Sequence, residues 1–553
     1  MKAVVLMCAL VSAVASFGVT HYQVLGEGDV ANRLKGFATT DTELYSNTVS
    51  NAVAFDFLKD RMPRFECPDE DIVRTYYFRW WTFRKHLRQT PEGWVITEFL
   101  PDVPYAGAHN TIVCPAGHHL REARWLSDPA IAADAVRFWL ASTNATHRWN
   151  YASWPVSGLR WVVEVSGDRK LAVGLLDDAV RYYRGWEKGF TYHTYPEGKP
   201  FPMGGDGKGM FTSVDDREGT EMSLGGNGYR PLMNAAMYGE ASAIAWAARI
   251  AGRAGLVAEF DAKAKALEDG IRAKLWNPER QFFTVRSLDG KLGAVRELHG
   301  YAPWYFGLDL AGCEKAWERL TDETGFYAPF GLTCQERSNP DFRIAHDGHA
   351  CQWNGPVWPF ATSLALTAYA SYLQTFQTSQ TFEAIAKPQS LRSRGTRDPT
   401  KTAHSGRDAR PARPQGTGFA IASFFNLLHL YAASQVLKRE DGKVVPWIDE
   451  NIDPFTGEWL ARTMRENLHK GTKRYLKDRG KDYNHSTFCD LVIGGLCGFV
   501  PRDDGKVELK PLAPKEWDWW CLDGVRYHGR DVTVLFDRDG TRYGMGKGLV
   551  VKE

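Results

Sequence analysis

Residues 356–373, PVWPFATSLALTAYASYL, are apolar on nearly every face of the helix that they predict. A helix with this pattern is buried between neighbouring elements, because a surface helix carries its apolar side chains along one stripe. A second stretch, Phe419 to Val436, has the same character. We therefore expect a mainly helical protein in which these two helices are enclosed by others.

Helical periodicity continues on both sides of residues 356–373, beginning near Asp69, where acidic residues open the first predicted helix. The other predicted helices cover Ile72 to Leu87, Ala130 to Leu140, Leu171 to Tyr183, Tyr238 to Ala254, Val257 to Leu275, Cys313 to Leu320 and Ser486 to Leu496. Long Gly- and Trp-rich connections lie between them, and loops of such length inside a compact domain are usually functional. This organisation predicts a helical toroid in which loops at one end form a pocket.

Two parts of the chain depart from the helical pattern. After Arg502, short segments alternate like strands, with Asp523-Gly524 and Asp539-Gly540 as predicted hairpin turns. Residues 503–553 should therefore form a small β-element. Residues 378–416 are polar and basic, and their composition predicts a disordered insertion.

The chain begins like an exported protein. Lys2 precedes an apolar stretch that ends in the small residues Ala13-Val14-Ala15, the pattern of a cleaved signal peptide. We expect a signal peptide over residues 1–15, an N-terminal segment over residues 16–68 and a helical domain over residues 69–502. The protein is predicted to be secreted or periplasmic and to lack a membrane span, since no later segment holds about 20 apolar residues.

Composition narrows the function. The 553 residues are 44% hydrophobic and 24% charged, and their net charge of +2 removes any electrostatic case for nucleic acid or an anionic membrane as partner. Aromatic residues reach 13% and include 20 Trp, a surplus that carbohydrate-active proteins use for stacking on sugars. The nine cysteines, of which Cys8 lies in the signal peptide, contain no CxxC pair. Buried thiols are therefore expected for most of them, rather than a zinc cluster or a disulfide scaffold.

Residues 447–459, WIDENIDPFTGEW, place Glu450 in a short segment between two probable helices. Trp447, Phe455 and Trp459 flank it. A carboxylate in such a setting can activate a water molecule while indole faces pack on the apolar face of a pyranose. An isolated Glu in a turn is more often simply solvated, so a catalytic role for Glu450 requires a second carboxylate.

The best second carboxylate lies in residues 210–231, MFTSVDDREGTEMSLGGNGYRP. Asp215, Asp216 and Glu218 crowd this loop, and adjacent carboxylates cannot all ionise cheaply, so one pKa should rise as a general acid requires. Arg217 and Arg230 could keep the remaining acids charged. A calcium-like oxygen cluster is the alternative, although the spacing does not fit an EF-hand.

These stretches resemble inverting glycosidases with an (α/α)6 barrel, the clan of trehalases, processing α-glucosidase I and mannosylglycerate hydrolases. The segment Ser213-Val-Asp215-Asp216 is similar to the clan's acid loop, and residues 450–457 to its base loop. Residues 275–283, LWNPERQFF, and residues 352–358, QWNGPVW, resemble two further clan segments in the same order. The closest likeness is to mannosylglycerate-hydrolase-like secreted bacterial proteins.

The resemblance implies a fold and a set of roles. The fold is a mainly α (α/α)6 toroid, a six-hairpin catalytic barrel over residues 69–502 with a small C-terminal β-element. The implied general acid is Asp215, with Asp216 as the alternative, and the implied base is Glu450. Such a pair lies about 6.5–9.5 Å apart in inverting enzymes. The predicted substrate-binding residues are Glu218, Tyr229, Arg230, Trp353, Asn354, Trp358, Trp447, Asp482, His485 and Trp81.

Several of these residues have a structural alternative. Trp358 could belong to the core, Arg230 could pair with Asp216, and Trp81 lies on a helix face of which about half should be core. No metal or other cofactor is required by the mechanism, although a structural calcium near Asp206 or Asp215 is compatible with the sequence. The partner is an oligosaccharide or glycoside.

The predicted function is hydrolysis of an α-linked sugar by an exo-acting inverting glycosidase, with glucose as the first expectation. An α-L-rhamnosidase or α-mannosidase on the same barrel is the alternative within enzymes. An epimerase would place paired histidines at the centre of the toroid, and His118-His119 is the candidate pair. A catalytically inactive carbohydrate-binding protein is the alternative from another class.

Overall fold

A computed structural model describes residues 21–45, 48–194, 197–344, 351–377, 380–382, 417–462 and 478–553. The predicted signal peptide and nearly all of the predicted insertion at residues 378–416 lie outside these residues.

The described chain is mainly helical. Its α-helices are α1 Glu27–Thr40, α2 Ala54–Leu58, α3 Glu70–Phe83, α4 Ala116–Ala123, α5 Pro129–Ala141, α6 Pro155–Ser166, α7 Arg169–Gly174, α8 Leu176–Lys188, α9 Pro231–Ile250, α10 Ala254–Leu275, α11 Ala302–Tyr305, α12 Pro359–Gln374, α13 Thr417–Ser434 and α14 Phe488–Asp490. A π-helical turn, Leu491–Leu496, continues α14.

The strands are short except near the C-terminus. They are β1 Arg64–Glu66, β2 Leu87–Thr90, β3 Gly93–Ile96, β4 Phe190–His193, β5 Pro200–Gly205, β6 Phe211–Thr212, β7 Trp276–Asn277, β8 Phe282–Phe283, β9 Tyr327–Ala328, β10 Gly331–Leu332, β11 Gln380–Phe382, β12 Val436–Lys438, β13 Val444–Pro446, β14 Phe499–Val500, β15 Val507–Leu509, β16 Trp519–Tyr527, β17 Arg530–Asp537 and β18 Gly548–Lys552.

The helices close a ring, which confirms the expected toroid. In sequence around it, α3 packs on α13, α13 on α12, α12 on α11, α11 on α9, α9 on α6, α6 on α4, α4 on α14, and α14 on α3 again. The helix α12 is buried on almost every face, as residues 356–373 predict. Local signals begin the helices: Asp69 accepts a hydrogen bond from the Ile72 N–H (3.0 Å) at the start of α3, and Pro231 opens α9.

Some helix predictions differ from the structure. The predicted helix Leu171 to Tyr183 divides at Leu175 into α7 and α8, and Glu314–Leu320 is a 3₁₀ helix rather than an α-helix. The helices α1, α4 and α6 were not predicted. Both α4 and α6 are buried by contact with neighbouring helices, and helices this short take most of their stability from such packing rather than from local propensity.

The C-terminal β-element is a four-stranded antiparallel sheet in the order β1-β16-β17-β18, so one strand comes from the N-terminal segment. The prediction of a hairpin turn at Asp523-Gly524 is wrong. These residues form an irregularity inside β16, because the buried Asp523 carboxylate accepts hydrogen bonds from three backbone N–H groups of residues 23–25. The turn that joins β16 to β17 is instead His528-Gly529, both at positive φ.

Candidate active site

Glu450 lies in the segment that follows β13, and its side chain is fully buried. Its Oε1 is 3.9 Å from an Nη atom of Arg479, and its Oε2 is 3.8 Å from the Sγ atom of Cys351. The Arg479 guanidinium supplies a counter-charge and also packs over the rings of Phe99 and Tyr105. Glu450 is therefore an enclosed carboxylate with an aromatic and cationic environment, rather than a solvated turn residue.

Backbone contacts fix the Glu450 segment. The Glu450 N–H donates to Oδ1 of Asp449 (2.8 Å). A Cβ atom at Gly480 would lie 1.9 Å from that same Oδ1, so the loop that carries Arg479 approaches this closely only because residue 480 is glycine. The Asp482 N–H donates to the Ile448 carbonyl (2.9 Å), which ties the two loops together a second time.

The acids of the second loop have different environments. Asp216 accepts a hydrogen bond from the Tyr192 hydroxyl (2.5 Å) and lies 3.8 Å from Nε of Arg217. Asp215 caps the short 3₁₀ helix Asp216–Glu218 by accepting from the Asp216 N–H (2.9 Å). Burial raises the pKa of Asp215, and the charge of Arg230 offsets part of that rise.

Arg230 organises the loop from its buried position at the start of α9. Its guanidinium pairs with Glu218 (2.9 Å) and Glu297 (3.3 Å), and it also donates to Thr220 and Ser223. Burial opposes its charge, but the carboxylates of Glu297 and Glu218 outweigh burial and raise its pKa. The ion-pair partners of Arg230 are thus Glu218 and Glu297 rather than Asp216. The side chains of Glu218 and Arg230, both predicted substrate contacts, bind each other.

Glu221 completes the loop and was not singled out by sequence. Burial raises the pKa of Glu221 to about 8, and the nearby charges of Asp216, Asp215 and Glu98 add to the effect. Its carboxyl group is therefore protonated at neutral pH. Its backbone carbonyl accepts a hydrogen bond from the Trp353 N–H (3.1 Å).

Residues 353–358 connect the two carboxylate loops. At one end the Trp353 N–H reaches Glu221 in the acid loop. At the other end Val357 and Ile452 exchange two backbone hydrogen bonds of 3.0 and 2.9 Å, and Ile452 lies two residues beyond Glu450. The rings of Trp353 and Trp358 stack at 4.2 Å and both are buried, and Asn354 is buried beside them.

The loop 478–485 supplies two predicted substrate contacts with different surroundings. The Asp482 carboxylate is buried and pairs with Lys85 (2.7 Å) and Lys481 (3.2 Å), both of which also reach Asp41. It is therefore committed to an ion-pair cluster with the N-terminal segment. The Nε2 atom of His485 lies 3.0 Å from Oε1 of Glu98, and the His485 ring packs against the ring of Tyr483.

The remaining predicted contacts are Trp81, Trp447 and Tyr229. Trp81 is 1% exposed, donates from Nε1 to Asp41 (3.0 Å) and stacks under Arg84, which is a core position. Trp447 is partly buried between the cations of Arg462 and Lys481. The Tyr229 hydroxyl donates to Asp206 (3.2 Å), and its ring is partly exposed.

Sequence reasoning missed Glu98, Arg479 and Tyr483 as neighbours of the site. Glu98 stands at the end of β3 in the apolar run ITEFLP, and a carboxylate in such a run is the signal that could have identified it. Tyr483 donates to its Oε1 (3.1 Å) although the two residues are 385 positions apart.

The paired histidines are part of the helical core. His118 stacks on Phe360 at 4.3 Å, and His119 lies 2.7 Å from the Asn484 carbonyl. Both side chains are 1% exposed, and burial lowers both pKa values well below the usual range. This placement argues against an epimerase site built on them.

One group of residues within the described ranges has metal-ligand geometry: Asp69, Asp71 and His429. Asp69 is occupied in capping α3, and Asp71 pairs with Arg74. The group does not include Asp206 or Asp215, so a structural calcium there stays a prediction. Across the described ranges, the search for a helix with the length and hydropathy of a membrane span identifies none.

The eight cysteines outside the predicted signal peptide all lie in the described ranges and form no disulfide. Seven are buried, which confirms the expectation of buried thiols for most of them. Cys351, beside Glu450, is the partly exposed one.

The family of this helical domain follows from a family-model match. Residues 108–486 match the family model for the mannosylglycerate hydrolase MGH1-like glycoside hydrolase domain, and the chain belongs to this family. Residues 501–552 match the C-terminal domain of glycosyl hydrolase family 65.

Solved structures are similar to the chain over most of its length. One titled "Sialidase" is 32% identical with a TM-score of 0.78, covering 96% of this chain and 43% of its own. This chain thus spans less than half of that protein. A GH63 mannosylglycerate hydrolase from Thermus thermophilus in complex with glucose is 13% identical, covers 76% of this chain and 99% of its own, and has a TM-score of 0.47. A GH78 family rhamnosidase of Bacillus sp. GL1 is 11% identical, covers 86% and 40%, and has a TM-score of 0.49.

Proposed function

We propose that the protein hydrolyses an α-linked sugar from the end of a glycoside by single-displacement inversion. In this mechanism Asp215 protonates the leaving oxygen, while Glu450 accepts a proton from the attacking water on the opposite face of the ring. Glucose is the first candidate sugar. No cofactor takes part, because the two carboxyl groups supply both proton transfers.

The observation that carries the proposal is the continuous path from one carboxylate loop to the other. Residues 353–358 contact the acid loop through Glu221 and the base loop through Ile452. The stacked indoles of Trp353 and Trp358 stand between these contacts, and an aromatic wall of this kind suits the apolar face of a pyranose.

The environments of Asp215 and Asp216 favour Asp215 as the acid. Asp216 is already engaged by two groups of the protein, the Tyr192 hydroxyl and the Arg217 guanidinium. Asp215 has a pKa raised by burial, as a proton donor near neutral pH requires. Burial also raises the pKa of Glu218, which pairs with Arg230, and the pKa of Glu221 to about 8. Glu221 is therefore the alternative acid in this loop that has no ion pair with Arg230.

Variants of the two carboxylates test the assignment. Asp215→Asn and Glu450→Gln should each lower kcat by about 100- to 10,000-fold, since each removes one proton transfer. Asp215→Asn should recover much of the rate on glycosides whose leaving groups need no protonation, such as 2,4-dinitrophenyl glycosides. Glu450→Gln should not recover on these substrates. Recovery by Glu221→Gln but not by Asp215→Asn would transfer the acid role to Glu221.

The stereochemistry is tested by following the anomer first released with proton NMR. The β-anomer should appear first from an α-glycoside, and an α-anomer would overturn inversion. A panel of α-glucosides, α-mannosides and α-L-rhamnosides identifies the sugar. Sugar affinity without hydrolysis of any of them would favour the binding-protein alternative.

We also propose that the protein is exported after cleavage behind Ala15. The supporting observation is the pattern of residues 1–15. Mass spectrometry of the mature protein from its native cell would give an N-terminus at residue 16, and an intact Met1 in the mature protein would contradict export.

A further inference from the structure

Glu98 is fixed in place by two parts of the chain. It follows β3, and the preceding Thr97 N–H donates to the His86 carbonyl (3.0 Å). The Glu98 carbonyl accepts from the Asn484 N–H (3.3 Å). The side chain is 6% exposed, so the position of its carboxylate is determined by packing rather than by solvent.

The two oxygens of the Glu98 carboxylate have unequal partners. Oε1 accepts from the Tyr483 hydroxyl at 3.1 Å and lies 3.0 Å from Nε2 of His485. Oε2 is buried and has no hydrogen-bond partner within the described part of the chain. A buried carboxylate oxygen without a donor costs folding free energy. In native proteins such an oxygen is explained by a functional role or by a donor such as a ligand, an ion or water.

Glu98 lies near both of the proposed catalytic loops. Burial is the main reason that the pKa of Tyr483 lies well above its usual value, and the charges of Glu98 and Glu450 both add to it. Glu98 also raises the pKa of Glu221 in the acid loop. Glu98 is therefore within electrostatic reach of both loops.

We propose that Glu98 determines specificity by accepting, through Oε2, a hydrogen bond from a ring hydroxyl of the sugar that is cleaved. The inference rests on the proposed function. A hydroxyl supplies the donor that Oε2 lacks, and the hydrogen bond removes the cost of leaving this buried oxygen unpaired.

The test begins with the wild-type protein and monodeoxy analogues of the glycoside that it cleaves fastest. One deoxy position should lower kcat/KM by about 10- to 100-fold, the effect of losing a hydrogen bond to a charged group. Glu98→Gln should lower kcat/KM on the full substrate, chiefly by raising KM. Because the hydrogen bond is then already weakened, replacing the full substrate by that deoxy analogue should lower the kcat/KM of the variant by no more than about threefold. Glu279→Gln, which changes an exposed loop carboxylate, is the matched control and should behave as the wild type.

Two results would overturn the inference. The first is that the wild type cleaves every monodeoxy analogue within threefold of the parent glycoside, a result that needs no variant. The second is that the missing hydroxyl lowers kcat/KM by the same factor in Glu98→Gln as in the wild type.

The design separates this inference from the proposed function. If the wild-type protein cleaves no glycoside, the proposed function is refuted. Calorimetry then measures how tightly the wild type and Glu98→Gln bind the parent glycoside and its deoxy analogues. Absence of sugar binding refutes both. The wild type may cleave its substrate while the missing hydroxyl lowers kcat/KM equally in the wild type and in Glu98→Gln. That result refutes this inference alone.

Discussion

At the scale of single residues, the surroundings of each carboxylate decide what it can do. Asp482 is held by two ammonium groups, Glu218 shares a guanidinium with Glu297, and Glu221 is buried beside other acids. Burial opposes the charge of Asp482, but the ammonium groups of Lys85 and Lys481 outweigh it and lower the pKa of this residue. Burial raises the pKa of Glu218 and of Glu221. The site therefore contains carboxyl groups whose pKa values are shifted in opposite directions, which acid–base catalysis needs.

Cys351 gives a prediction at this scale. Its thiol is partly exposed and lies 3.8 Å from Glu450, whereas the other seven cysteines of the described chain are buried. Iodoacetamide should therefore modify Cys351 first and abolish hydrolysis, because the added group would occupy the space beside Glu450. Mass spectrometry of the modified peptide, together with residual activity, measures both events.

The control for this experiment is Cys351→Ala. Whatever activity that variant retains should resist the reagent, and a bound sugar product should slow inactivation of the wild type. Equal inactivation of both proteins would place the sensitive thiol elsewhere.

At the scale of secondary-structure elements, one helix can supply the hydrogen-bond acceptors that the backbone N–H groups at the start of another helix lack. The helix α6 begins at Pro155, and no side chain of its own N-cap satisfies its first N–H groups. Glu240 of α9 accepts hydrogen bonds from Val156 (3.1 Å) and Ser157 (2.7 Å) instead. One helix thus caps its neighbour in the ring.

This cap should make stability depend on pH. Burial raises the pKa of Glu240 from 4.5 to about 8. Because the folded state holds the proton more tightly than the unfolded state, its contribution is fully present below pH 4.5 and is lost as the pH rises towards 8. Glu240→Gln cannot titrate, so its free energy of unfolding should fall less steeply across this window, by up to about 1.4 kcal/mol per pH unit.

Urea denaturation of both proteins at pH 5, 6, 7 and 8 measures the difference. Glu122, with its pKa raised to about 7 by burial, and Glu221 titrate in both proteins and so cancel in the comparison. Parallel curves for the wild type and Glu240→Gln would show that Glu240 does not carry this dependence.

For the whole molecule, Asp523 joins the N-terminal segment to the C-terminal sheet. Its carboxylate accepts from the N–H groups of Gln23, Val24 and Leu25 and from the Thr533 hydroxyl (2.6 Å). Asp523→Asn removes the charge and turns an amide donor towards other donors. We expect a loss of about 2–3 kcal/mol in the free energy of unfolding.

Chemical denaturation measures this loss, with Asp539→Asn in an exposed turn as the control. Hydrolysis by folded Asp523→Asn should stay within about twofold of the wild type, since the sheet is distant in sequence from both carboxylate loops. A loss no larger than that of the control would contradict the role assigned to Asp523.

Local patterns predicted the buried α12, the two carboxylate loops and the aromatic segment between them, because each is encoded in neighbouring residues. Features built from distant residues were missed. Glu98 meets Tyr483 across 385 positions, and Asp523-Gly524 resembles a turn until residues 23–25 supply donors to its carboxylate. Likewise, the role of Asp482 depends on Lys85, which no local pattern connects to it.

The ring of helices has a consequence for how the protein can be divided. The region that matches the glycoside hydrolase family begins at residue 108, yet α3, at residues 70–83, is the helix that closes the ring between α13 and α14. Asp41 and Lys85 also reach the loop that approaches Glu450. A fragment limited to residues 108–486 would therefore lack both the helix that closes the ring and the charged partners of Lys481 and Asp482.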